Sequence, residues 1–95
     1  MSGQNADVVR KTRPLHEFIR EELERIVSSQ ASEEDAQTIV IHARPYAAGG
    51  AVPKDAAQEL AEAFEHAKEW CDGLFDSTSL GVINAAIEAI KDQAA

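Results

Sequence analysis

Apolar residues recur every three or four positions through most of this chain, and residues that start or stop helices bracket each run. Leu15, Phe18, Ile19, Leu23, Ile26 and Val27 form one unbroken stripe, with Glu17, Glu21 and Glu24 on the other side. That spacing predicts an amphipathic helix. Thr12 is placed to cap it, Pro14 suits its first turn, and Ser28, Ser29 and Gln30 end it. Within it, Glu21 and Arg25 stand in the i,i+4 order that favours an ion pair.

A second helix is predicted from Ser32, with Asp35 three residues on in a variant of the capping box. Glu33, Glu34 and Asp35 also suit the positive end of a helix dipole. The β-branched run Thr38-Ile39-Val40-Ile41 has the composition of a strand, but the cap signal and the lack of a convincing second strand favour helix. Pro45 disfavours the helical conformation at Arg44, so the helix is expected to stop there. Residues 44–52, RPYAAGGAV, then read as a loop with Tyr46 at least partly exposed.

The third helix is expected to start at Pro53 and to run to Gly73, a residue suited to the position just past a helix end. Its buried face is predicted as Ala56, Leu60, Ala63, Phe64, Ala67, Trp70 and Cys71, with Leu74 and Phe75 folding back on the core. The fourth, capped by one of Ser77, Thr78 or Ser79, carries Leu80, Val82, Ile83, Ala86, Ile87 and Ile90. Gly81 and Ala85 add little bulk there and would let a neighbouring helix come close. The pattern predicts an all-α fold, a small antiparallel four-helix bundle closed alone or completed by homodimerisation. Residues 1–11 read as a flexible N-terminal segment and 12–95 as one helical domain. With aromatic residues at only 5%, the core rests on Leu, Ile, Val and Ala and a few rings, Phe18, Phe64, Phe75 and Trp70. Small domains with thin cores often complete them against a second copy or a partner.

Charge changes the picture. Seventeen acidic residues face nine basic ones, a net charge of -8. From Gly49 onward nine carboxylates meet only three lysines, Lys54, Lys68 and Lys91. Asp55, Glu59, Glu62, His66 and Glu69 fall on one strip of the third helix. Such a strip repels phosphate and anionic membrane surfaces and attracts basic partners. The bases Arg10, Lys11 and Arg13 are too few to make a nucleic-acid arm against that load.

The candidate chemistry is sparse. Glu62, His66 and Glu69 could share a metal, but no other helix offers a matching motif and the strip lies off the apolar face, so it reads as a solvated face. His16-Glu17 opens like a zincin helix, yet Arg20 stands where the second histidine should be. His42, among β-branched neighbours, reads as a partly buried, hydrogen-bonded histidine. Cys71 has no second cysteine to pair with, and Asp72 beside it would raise its pKa, so it reads as a packed thiol. Asp76-Ser77-Thr78-Ser79-Leu80 departs from the Asp-Ser-Leu of acyl carrier proteins, because Thr78 and Ser79 interrupt the triplet; it reads as capping residues. Gly49-Gly50 lacks the spacing of a phosphate loop. No cofactor, metal or catalytic group is expected.

The reading that follows is a non-enzymatic, cytoplasmic protein–protein interaction module, an inhibitor or adaptor of anti-defence, immunity or regulatory type. Its high alanine content suits a GC-rich bacterial or phage genome. The partner is expected to be another protein, basic or itself nucleic-acid-binding, with no direct contact to nucleic acid or membrane. The expected contact residues are Arg44 and Tyr46 on the loop, types enriched at binding hot spots, and Glu59, Glu62, Glu65 and Glu69 on the third helix. The alternatives are a structural homodimer joined through its first or fourth helix, and a metal-binding bundle.

Overall fold

The computed structural model describes residues 14–94. The expected flexible N-terminal segment and the Thr12 cap lie outside the described residues. Four helices account for 77% of what is described, with no strand among those residues. They are α1 (Leu15–Ile26), α2 (Glu33–Ala47), α3 (Lys54–Trp70) and α4 (Ser77–Ala94). Thr38 to Ile41 is helical, in the middle of α2.

Helix ends explain where the sequence reading holds and where it does not. Ser32 caps α2 as expected, its hydroxyl accepting from the Asp35 N–H at 3.2 Å. Pro45, however, does not end α2, which continues to Ala47. Proline removes one donor to the carbonyl four residues back, and Pro45 lies on the exposed side of the helix, where water can take that bond. The real stop is glycine. Gly49 adopts φ +102, its N–H bonds to the Tyr46 carbonyl at 3.0 Å, and the Gly50 N–H bonds to the Pro45 carbonyl at 2.8 Å. These two bonds form a Schellman motif. A Cβ on Gly50 would stand 2.8 Å from the Pro45 oxygen, so a side chain there would strain the turn.

Helix α4 is capped one residue earlier than expected. The carboxylate of Asp76, not a hydroxyl of Ser77, Thr78 or Ser79, accepts from the Ser79 N–H at 2.7 Å. That bond holds the Asp76 carboxyl below its ordinary pKa.

Consecutive helices reverse direction, as an antiparallel bundle requires. α1 therefore runs in the same direction as α3, and it lies alongside it. Arg20, midway along α1, reaches Glu59 in the first half of α3 (3.8 Å), and the Trp70 indole donates to the Ser29 carbonyl at the far ends of both helices (2.7 Å). α3 and α4 run opposite ways, tied by Lys91 to Glu65 at 3.0 Å and Lys68 to Asn84 at 2.7 Å. The amide of Gln93, near the end of α4, accepts from the Val52 N–H at 2.7 Å and donates to the Gly50 carbonyl at 2.9 Å. It fixes the α2–α3 loop to the last turn of α4. The closest packing is of α2 and α3 against α4, then α1 against α3; α1 meets α2 only lightly.

The core holds Ile19, Leu23, Ile26, Ile39, Leu60, Phe64, Ile83 and Ile90, all essentially without solvent contact. Its aromatic content differs from expectation. Tyr46 is buried at 2% exposure and meets Phe64 edge to face, ring centres 6.2 Å apart. Because α2 runs past Pro45, Tyr46 turns inward one helical turn after Ala43, on the face of Ile39 and Val40. Phe18 and Trp70 are 47% and 45% exposed instead, and Ala57 and Ala61 join the buried face of α3 where Ala56 is half-buried. Gly81 and Ala85 are exposed, and a Cβ at Gly81 would touch nothing. They do not serve a close helix crossing.

Candidate interaction surfaces

The outer side of α3 is a carboxylate ridge. Its buried positions, Ala57, Leu60, Ala61, Ala63, Phe64 and Ala67, turn inward. Helical periodicity therefore throws Asp55, Glu59, Glu62, His66 and Glu69 outward, and all five are exposed. Their surroundings differ. Glu59 lies 3.8 Å from the Arg20 guanidinium. Glu62 accepts from the Gln58 amide at 2.8 Å. Glu65, at the edge of the ridge, is tied to Lys91. Neither Glu62 nor Glu69 has an ion-pair partner among the described residues. The ridge is flanked by two shallow grooves. One, against α1, places Glu24 beside Glu59, Glu62 and His66; the other, against α4, places Glu88 beside Glu65 and Glu69.

The two loop residues expected to join this surface do not. Tyr46 is in the core, and burial pushes its phenol above the ordinary value. Arg44 is exposed on α2, on a different face from the ridge. It borders a groove with Ile41, Val40, Leu74, Phe75 and Glu33. Ile41 is the most exposed of the large apolar side chains at 60%, and Leu74 is 39% exposed. Apolar spacing alone does not show this surface, because Ile41 belongs to the β-branched run and Leu74 reads as a core residue from the sequence. Its signal in the sequence is Ile41 standing four residues after Gln37 and three before Arg44, on a polar strip.

The titratable groups settle into packing roles. His42 Nε2 donates to Glu22 Oε1 at 2.7 Å across the α1–α2 seam, and its ring meets Phe18 edge on. The bond from His42 draws the Glu22 carboxyl below its ordinary pKa, against burial, which raises it; Arg25, 3.4 Å away, adds to the lowering. Glu22 thus holds Arg25 in the structure. Cys71 is buried. Burial is the main cause that raises its thiol pKa, and the neighbouring charge that adds to this is Asp35 on α2, not Asp72. Among the described residues no three His, Cys, Asp or Glu side chains are grouped to hold a metal ion, and none of the helices is long and apolar enough to cross a membrane.

Compared with protein-family models, with curated proteins and with solved structures, the chain matches none.

Proposed function

We propose that this chain is a non-enzymatic protein-binding module, an acidic inhibitor or adaptor that receives a basic or nucleic-acid-binding protein partner along α3. The observation that supports this reading is the pair Glu62 and Glu69. They are exposed, seven residues apart, and neither is in an ion pair among the described residues. Unneutralised carboxylates on a rigid helix offer complementary charge without first breaking an ion pair. Asp55 and Glu59 extend the ridge toward the start of α3. Tyr46 has no part in this surface, and Glu65 contributes less because Lys91 already neutralises it.

Capture from extracts of the native host, with the wild-type chain and the Glu62→Lys/Glu69→Lys variant as parallel baits, tests the reading. A partner recovered by the wild type, lost with the variant and released as salt rises is the expected result. Recovery of the same proteins by both baits, insensitive to salt, rules out the ridge as the binding surface.

A further inference from the structure

The outer face of α2 carries a charge pattern with a direction. Glu33 and Glu34 stand at its start, Gln37 and the exposed Ile41 in the middle, and Arg44 near its end. Arg44 makes no ion pair among the described residues, and neither do Glu33 and Glu34. Glu33 and Arg44 are separated by about 16 Å along the helix at 1.5 Å per residue. A helix laid beside this face in the opposite direction would satisfy both ends if it carried a cation opposite Glu33 and Glu34 and a carboxylate opposite Arg44. α2 is itself such a helix.

We infer that the outer face of α2 pairs with the same face of a second copy of this chain, antiparallel, about a two-fold axis between Thr38 and Ile39. In that register Arg44 of each copy meets Glu33 and Glu34 of the other. Ile41 of each copy lies over the exposed Gln37 of the other, and Leu74 on the adjoining turn widens the apolar contact. The surface is isologous, because one helix supplies both halves of every opposite-charge contact. Charge pairs at the ends fix the register, while Ile41 and Leu74 supply the water-excluding centre that an interface needs. The contact is short, about 22 Å of helix, so the dimer is weak, with dissociation in the micromolar range or above. The pairing goes beyond the binding role assigned to α3 and shares no residue with it.

Sedimentation equilibrium of the full chain from about 1 μM to about 1 mM tests the pairing. The wild type is expected to pass from monomer to dimer. Ile41→Asp, at a side chain outside the core, is expected to stay monomeric with its helical circular dichroism intact. Arg44→Glu and Glu33→Lys/Glu34→Lys each put like charges opposite one another, and each is expected to weaken self-association about a hundredfold. Mixing those two variants restores every opposite-charge contact, so the mixture is expected to form a heterodimer that neither makes alone. Glu62→Lys/Glu69→Lys is expected to leave the dimer unchanged, which separates this pairing from the function proposed for α3. A wild type that remains monomeric throughout overturns the inference. So does a dimer that survives Ile41→Asp, or a mixture of the charge variants that does not associate.

Discussion

The two sides of α4 and the seam between α1 and α2 are held in different ways. α4 packs on α2 and α3 through Ile83, Ala86, Ile87 and Ile90, side chains with no charge to titrate and little or no solvent contact. At the α1–α2 seam the backbones approach only lightly, Phe18 is half-exposed, and the shortest polar contact is the bond from His42 to Glu22. The packing on α4 is mainly apolar area, which is indifferent to pH, with the Lys91–Glu65 pair at its exposed rim. The seam has a carboxylate, Glu22, at its centre. In a chain with so few aromatic residues, the three-helix unit of α2, α3 and α4 carries most of the tightly packed core, and α1 is fastened to it along α3.

The sharpest way to break that comparison is at Phe64, where α3 meets Tyr46 of α2. Phe64→Ala should lower stability by about 3–5 kcal/mol, the cost of truncating a fully buried ring. Urea unfolding should show this as a lower midpoint with an unchanged slope.

A smaller loss tests the seam. His42→Ala should cost about 1–2 kcal/mol by leaving the half-buried Glu22 without its donor. The effect should depend on pH with a definite sign. The folded state lowers the Glu22 pKa, so its contribution is fully present above the ordinary value of 4.5 and is lost as pH falls through the folded value. Glu22→Gln should flatten that acid limb in a series of thermal melts. An acid limb of the same steepness in Glu22→Gln would show that the seam does not depend on this charge.

The smallest change should be a gain. Gly81 sits exposed inside α4, and an added Cβ meets nothing. Gly81→Ala should raise stability by about 0.5–1 kcal/mol, seen as a modest rise in Tm.

The four helices were legible in the sequence because their apolar spacing and caps agree. The carboxylate ridge was legible for the same reason: a strip opposite Leu60, Phe64 and Ala67 must face outward wherever the helix packs. Three features were not. The end of α2 depends on Gly49 and Gly50, whose capping bonds outweigh the local preference that Pro45 imposes on Arg44. The apolar stripe of α1 is wider than the surface its neighbours cover, so spacing alone counted Phe18 as core. The packing of α1 on α3 more than on α2 rests on contacts such as Trp70 to Ser29, 41 residues apart, which no local pattern encodes. The inward turn of Tyr46 follows from the first of these, and with it the loss of a residue expected at the binding surface.

Trp70 has a practical consequence. It is the chain's single tryptophan, half in water, with its indole N–H held by the backbone just past α1 and its ring beside Glu69. Its emission therefore reports on one place without any label. Release of the α1 end should shift it to the red, and a partner settling over Glu69 should shield it from an added quencher. The molecule carries its own optical probe at the junction where fastening and binding would meet.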